Sequence, residues 1–214
     1  MKFKKYIKEA NSVWEDAGLI AGILENDCMP FIKEMKSNNL HNWFYRATEH
    51  HYKIISKPIK PRKDRRPRNT PKELHEYMNK LFKKKFGWNV RSEGIFAGSD
   101  RNQLEYTYGD PYLFFPIGNY KYVYHPQMRD IFMHLDGKYN ISYIGDPQVT
   151  DLDEYFDTDQ MYKIYKEIDN IVPQYKNKNL SKAYVNIVEV AFKCKSYYLV
   201  NEKYSDDLKK YLEW

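Results

Sequence analysis

The sequence predicts an α+β fold in which a helical segment precedes a mixed or antiparallel β-sheet core and a short helix follows it. Apolar side chains recur at helical spacing near the start of the chain. From Trp88 onward, short aromatic and β-branched runs alternate with Gly, Asp, Asn and Pro turns, which is typical of strands. With 214 residues, the chain is long enough for one domain with a sizeable core. We therefore expect a single domain, with a helical extension at 1–40, a core at 41–200 and a C-terminal helix at 201–214.

The N-terminal segment is predicted to form a helical cap on the core. Gly18 is expected to break its apolar stripe, and Leu19–Met35 resumes a similar pattern. A short aromatic run at Asn42–Ala47 then suits a strand. The residues of the first stripe are Phe3, Tyr6, Ile7, Ala10, Val13 and Trp14.

The best-marked helix lies in the middle of the chain. Thr70 is expected to be its N-cap, with Pro71 as the first helical residue and Glu73 as the capping-box partner. Gly87 is expected to end it. Its apolar face is predicted to hold Leu74, Tyr77, Leu81 and Phe82.

Strands and two more helices are predicted after this point. Asp159–Ile171 is expected to be helical, and a last helix is expected to begin at Ser205. Val185–Phe192 and Ser196–Val200 are expected to close the core as a hairpin-like pair. The other strand candidates are Val90–Ala97, Tyr112–Ile117, Tyr120–Tyr124 and Ile141–Ile144.

The composition favours an ordered, basic protein in a reducing compartment. Aromatic residues make up 17% of the chain, which argues against disorder. The net charge is +6, and seven basic residues lie in the proline-rich stretch Lys57–Arg68, so an anionic partner is expected. Cys28 and Cys194 are far apart, which favours free thiols over a disulfide framework.

We expect a cytoplasmic protein with no membrane partner and no metal site. The start of the chain is basic but lacks the apolar stretch of a signal peptide, and no run approaches the length of a spanning helix. His50 and His51 are adjacent, and the six histidines do not cluster at metal-ligand spacing.

Three short segments carry polar side chains where a core strand favours apolar ones. Arg46 ends an aromatic strand, and a guanidinium there must reach an anion or solvent because its unpaired burial is costly. Ser92 lies in the polar triplet Arg91–Glu93, within a predicted strand. Glu189 lies inside an apolar run, where strict alternation puts it on the same face as Ile187.

Taken in order, these segments resemble the ADP-ribosyltransferase family, particularly its phage-borne and bacterial toxin-like members. The family pattern places an Arg on a first strand, a Ser-centred motif on a second and a catalytic Glu on a later one. Here the matching stretches are FYRATEHH, VRSEGIFAGS and NIVEVAFKC. Arg91-Ser92-Glu93 replaces the usual Ser-Thr-Ser, and Ile187 replaces the Glu or Gln common two positions before the catalytic Glu.

The resemblance implies an ADP-ribosyltransferase-type sheet core and NAD as co-substrate, without a metal. Glu189 is then the catalytic residue, because a carboxylate stabilises the positive charge that develops on the ribose when the nicotinamide bond is cleaved. Arg46 is expected to bind the NAD phosphates, and Ser92 to support the ribose or orient Glu189. An aromatic wall for nicotinamide is expected from Tyr106, Tyr108 and Phe114.

The expected acceptor is a macromolecule, and the basic stretch favours nucleic acid over a host protein. Its cationic residues are candidate acceptor-binding groups, and nearby tyrosines suit base stacking. The N-terminal helices are a possible site for a neutralising partner protein. The acceptor-binding candidates are Lys60, Arg62, Arg65 and Arg66.

Two other interpretations remain open from the sequence. In the first, the chain is a basic nucleic-acid-binding module without catalysis. Its affinity for nucleic acid then falls steeply with salt and does not depend on Glu189. In the second, the chain is an inactive transferase-like protein that binds NAD without turnover. The altered serine motif leaves this second alternative open.

Overall fold

The computed structural model describes residues 13–40, 42–63, 70–141 and 157–213 of the chain. The helices are α1 (Val13–Ser37), α2 (Lys72–Phe86), α3 (Val90–Glu93), α4 (Arg101–Tyr108), α5 (Ile131–Tyr139), α6 (Thr158–Ile171), α7 (Leu180–Val185) and α8 (Ser205–Tyr211). The strands are β1 (Tyr45–Thr48), β2 (Ile95–Ala97), β3 (Asp110–Pro116), β4 (Tyr120–Tyr124), β5 (Val190–Cys194) and β6 (Tyr197–Asn201).

The strands form two antiparallel sheets, which confirms the predicted α+β class. One sheet has the order β1-β3-β6 and the other the order β2-β5-β4. An isolated antiparallel bridge between Tyr45 and Gly98 connects β1 with the chain just beyond β2. The segment that contains Ile55 and Ile59 lies along the outer edge of β6. Two isolated bridges hold it there, from Ile55 to Val200 and from Ile59 to Tyr197.

The sheet that contains β5 separates two hydrophobic cores. Phe192 faces the larger core, which α1, α7, α8 and the other sheet complete. Its neighbour Ala191 faces the smaller core, beneath α2, α5 and α6. Val123 on β4 also faces the smaller core, while Tyr122 and Tyr124 face the larger one. This alternation follows from the two-residue period of a strand and explains why β4 and β5 read as continuous apolar runs.

Helix α1 caps the larger core, but its interior differs from the prediction. Gly18 does not break it; the absent side chain instead leaves room for Tyr211 of α8, whose ring lies 3.4 Å from where a Cβ would stand. The irregularity lies at Cys28, two residues before Pro30, which cannot donate to the helix ladder. Phe3, Tyr6, Ile7 and Ala10 lie outside the described residues.

Helix α2 ends where predicted and begins one residue later. Gly87 adopts the left-handed conformation, with φ of 80°, and its N–H bonds to the Lys83 carbonyl. The N-cap position is held by Pro71 rather than Thr70, and no side chain caps the helix there. Leu74 and Phe82 are buried as predicted, whereas Tyr77 and Leu81 are only partly buried.

Three strand predictions in the core are corrected by the structure. Val90–Ala97 is a single helical turn, α3, followed by the three-residue strand β2. In the predicted strand Val185–Phe192, Val185 is the last residue of α7, a loop follows, and β5 begins only at Val190. The expected hairpin does not form, because β5 pairs with β2 and β4 while β6 pairs with β3. Of the predicted strand Ile141–Ile144, only Ile141 is described, in a 3-10 turn.

Helix α8 begins at Ser205 as predicted, and acidic residues in its first turn and lysines in its last complement the helix dipole. Within the described ranges, no helix is both long enough and apolar enough to cross a membrane.

Candidate functional site

The junction between the two sheets brings the arginine segment and the glutamate segment together. Tyr45 and Gly98 exchange two backbone hydrogen bonds, of 2.7 and 3.0 Å. Ala97 pairs with Val190 in the β2–β5 register. Arg46 and Glu189 each lie one residue from these pairs, so the two segments flank β2 at the same level of the sheets.

The Arg46 guanidinium is directed at this junction. Its Nη1 donates to the carbonyl oxygen of Phe96 on β2 at 2.9 Å. The guanidinium carbon also lies 5.7 Å from the centre of the Tyr197 ring, a cation–π arrangement. A guanidinium has five N–H donors, so the single bond to Phe96 leaves donor capacity for an anion.

Ser92 is held on helix α3 by two buried residues of α2. The Asn79 amide donates to the Ser92 hydroxyl at 2.7 Å, and the His75 Nε2 lies 2.9 Å from the same oxygen. The Asn79 side-chain oxygen also accepts the Arg91 backbone N–H at 2.9 Å. Asn79 therefore fixes both the serine hydroxyl and the backbone of the preceding arginine.

The polar triplet forms a helical turn because local hydrogen bonds close it. The Glu93 carboxylate accepts the Asn89 N–H at 3.0 Å, and the Gly94 N–H bonds to the Val90 carbonyl at 3.0 Å. A Cβ at position 94 would collide with that same Val90 oxygen, so the turn requires glycine. Glu93 is also tied to Lys193 of β5 by a salt bridge.

Arg91 is the cation that contacts Glu189. Its Nη1 lies 3.9 Å from a Glu189 carboxylate oxygen, and the two side chains are 13% and 26% exposed. The Arg91 guanidinium also lies over the Phe96 ring, at 5.2 Å from its centre. Within the described part of the chain, the buried Arg91 Nε has no hydrogen-bond partner. Arg46 and Arg91 therefore both contact Phe96, Arg46 at its carbonyl oxygen and Arg91 at its ring.

Glu189 directly precedes β5 instead of lying within it. Ile187, two residues earlier, has a positive φ of 52°, which turns the chain out of the extended conformation. The Glu189 backbone N–H bonds to the Arg129 carbonyl at 2.9 Å. The predicted alternation of Ile187 and Glu189 on one strand face is therefore wrong. The Glu189 carboxylate lies just before the first residue of β5, beside Arg91.

A buried tyrosine underlies the Arg91–Glu189 pair. Burial raises the pKa of Tyr175, the nearby Glu189 and Asp130 charges raise it further, and the Arg91 charge opposes them. The His125 ring packs edge-on against Tyr175 at 5.3 Å, and burial lowers the pKa of His125. Both residues are therefore neutral at pH 7, and the charges at this position belong to Arg91, Glu189 and Asp130.

The three aromatic residues expected to bind nicotinamide lie in different environments. Phe114 is 1% exposed and packs against Phe31 and Phe192, so it belongs to the larger core. Tyr106 is 94% exposed and Tyr108 is 49% exposed, both on α4. Of these three residues, Tyr106 and Tyr108 are exposed and Phe114 is not.

The described part of the basic stretch starts next to Arg46. Ile59 pairs with Tyr197, whose ring Arg46 covers, and Lys60 and Arg62 follow as exposed residues. Arg65 and Arg66 lie outside the described residues.

The sequence alone identified Arg46, Ser92 and Glu189 but gave no role to Arg91, Phe96 or Asn79. Arg91 was visible only as part of a polar triplet, and nothing local indicates that it faces a carboxylate some hundred positions later. We use the name junction site for Arg46, Arg91, Phe96 and Glu189, with Ser92 beside it.

No group of three or more His, Cys, Asp or Glu side chains is arranged to hold a metal ion in the described ranges. Comparisons of the chain with protein-family models, curated proteins and solved structures give no match.

Proposed function

We propose that this protein is an NAD-dependent mono-ADP-ribosyltransferase that modifies a macromolecular acceptor. The observation that carries the proposal is the junction site, where Arg91 pairs with Glu189 and where Arg91 and Arg46, from distant segments, both contact Phe96 of β2. The order of these segments follows the pattern by which the sequence resembles the family. The residues also suit the charges of NAD, because the arginines match a diphosphate and the carboxylate matches a developing positive charge.

Each residue of the site has a distinct proposed task. Arg46 and Arg91 bind the two phosphates, since each has donors that its protein contacts leave unused. Glu189 stabilises the positive charge on the ribose and holds a ribose hydroxyl. Arg91 orients the Glu189 carboxylate before the substrate arrives. NAD, when bound, supplies the ADP-ribose group and the nicotinamide leaving group.

We propose nucleic acid as the acceptor. The exposed Lys60 and Arg62 follow Ile59 at the edge of β6, next to the ring that Arg46 covers. Cations in that position suit a phosphate backbone. The exposed Tyr106 and Tyr108 suit base stacking.

The proposal is tested by transfer from labelled NAD into a bacterial lysate, divided into nuclease-treated and protease-treated halves. We expect the label to disappear with nuclease. Glu189→Gln should lower the transfer on the order of 100-fold or more, since it removes the group that stabilises the transition state. Label lost only with protease would contradict the proposal that nucleic acid is the acceptor, but it would still support the transferase activity.

Glu93→Gln is the matched control. Its carboxylate is also 26% exposed and paired with a cation, but the cation is Lys193 and not Arg91. We expect it to retain most of the transfer. An equal loss in both variants would assign the effect to stability and would contradict a catalytic role for Glu189.

A second candidate is a nucleic-acid-binding module without catalysis, favoured by the 94% exposure of Tyr106 together with the basic stretch. Binding of a labelled single-stranded oligonucleotide distinguishes the two. A module predicts steep salt-dependent binding that Glu189→Gln leaves unchanged, with no consumption of NAD.

A further inference from the structure

Strand β4 forms the outer edge of its sheet among the described residues. It pairs with β5 on its inner side, and on its outer side only its last residue, Tyr124, is paired. Tyr124 exchanges two backbone hydrogen bonds with Lys176, of 3.0 and 2.8 Å, on the side away from β5. In an antiparallel sheet, the N–H and C=O of one residue point to the same side, and alternate residues share that side. The N–H and C=O groups of Tyr122 and Tyr120 therefore point outward along the same edge.

A groove runs along this edge. It has a volume of about 490 Å³, and β4 forms its floor. Glu34 of α1 lines one side, Phe86 and Trp88 line the other, and Asn177 closes the end next to the Lys176 bridge. A peptide strand laid in the groove would continue the sheet from the position that Lys176 already occupies.

The groove is cationic. The ammonium group of Lys85 lies over the ring of Phe86, at 5.0 Å from its centre, whereas Lys193, over the Trp88 ring, is already paired with Glu93. The exposed Lys121 lines the floor, and the exposed Lys176 adjoins Asn177.

Among the described residues that line the groove, the acidic one is Glu34, and its carboxylate is held by hydrogen bonds. Both oxygens of the Glu34 carboxylate accept tyrosine hydroxyls, from Tyr120 and Tyr122. These bonds hold the two side chains against α1, on the larger-core face of β4. Glu34 is thereby held on the larger-core side of β4, and Lys85, Lys121 and Lys176 outnumber it around the groove.

We propose that the free edge of β4 binds an extended, acidic segment of a partner protein by strand addition. Backbone pairing to Tyr120 and Tyr122 gives affinity, and the lysines select carboxylates. Pairing of β4 with a second copy is disfavoured, because it brings two Lys121 side chains and two cationic grooves together. This site is separate from the junction site and does not depend on the proposed transferase activity.

The test is binding of a fluorescein-labelled, end-capped peptide of alternating Val and Glu to the full chain, followed by fluorescence anisotropy. We expect binding that weakens with salt, and none for the same peptide with Lys in place of Glu. N-methylation of alternate amides should weaken binding at least about tenfold in one frame and leave it unchanged in the other, because only one edge of a strand faces β4.

Protein variants locate the site. Lys121→Glu should weaken peptide binding roughly threefold to fivefold, and Lys53→Glu, the same change on an exposed residue elsewhere, should not. Absence of binding by the acidic peptide, equal binding of the lysine peptide, or indifference to N-methylation in both frames would overturn the proposal. Dimerisation of the chain that the peptide reverses would assign the edge to a second copy and overturn it as well.

Discussion

At Asn79, a single side-chain amide holds two residues of α3 in place. It donates to the Ser92 hydroxyl and accepts the Arg91 N–H, and it is itself buried. Because Arg91 contacts Glu189, the position of the carboxylate's partner depends on this amide. The arrangement links a packing residue of α2 to the chemistry of the junction site.

Asn79→Ala should therefore destabilise the protein by about 1–3 kcal/mol, since it leaves buried polar groups without a partner. The free energy of unfolding in urea measures this. Asn170→Ala, on the exposed face of α6, is the control and should change that free energy by less than about 0.5 kcal/mol. Equal effects in the two variants would show that the Asn79 bonds contribute nothing.

At the scale of elements, the one-turn helix α3 depends on the absence of a side chain at Gly94. Gly94→Ala should destabilise the protein by about 1–3 kcal/mol, because the added Cβ collides with the Val90 carbonyl and forces the turn to open. Urea unfolding again gives the value. Gly22→Ala is the matched control: its Cβ would meet no atom within 4 Å, and alanine favours the helix interior. A neutral Gly94→Ala would contradict the tight turn.

Helices α5 and α6 are tied together by Glu167, which pairs with Lys138 and His134 of α5. Hydrogen bonds from Lys138 and then His134 lower the pKa of Glu167 below its ordinary value of 4.5. A carboxyl whose folded pKa is lowered contributes stability above its unfolded pKa, and this stability is lost as the pH falls through the folded value.

Glu167→Gln should consequently destabilise the protein at pH 6 by no more than about 1 kcal/mol, since Lys138 is half exposed. The difference from the wild type should shrink as the pH falls below about 4.5. Thermal unfolding of both proteins across this range measures it. A difference that stays constant down to pH 3 would contradict the assigned contribution.

Local signals in the sequence located some elements and missed others for physical reasons. The ends of α2 follow from Pro71 and Gly87, whose backbone preferences act on their immediate neighbours. The triplet at Arg91 was taken for part of a strand; local hydrogen bonds close its helical turn, and the bond that fastens it to Asn79 of α2 lies outside that stretch of sequence. The partner of β6 was also missed, since strand pairing is set by the whole core and not by adjacency along the chain.

At the scale of the whole molecule, the two sheets meet where the candidate chemistry lies. The Tyr45–Gly98 bridge joins them, and β5 separates the two cores with Phe192 on one face and Ala191 on the other. Glu189 precedes this doubly buried strand, so its backbone is anchored by both cores. A rigid support of this kind suits a carboxylate that must act at a fixed position.

The most direct test of the central claim is release of nicotinamide from NAD by the purified chain, without any acceptor. Water is the acceptor present in this assay, so the proposal predicts measurable release by the wild type. Glu189→Gln should reduce this rate on the order of 100-fold, and Glu93→Gln should retain most of it. Release at equal rates by wild type and Glu189→Gln, or no consumption of NAD by the folded wild type with or without nucleic acid, would contradict the assignment.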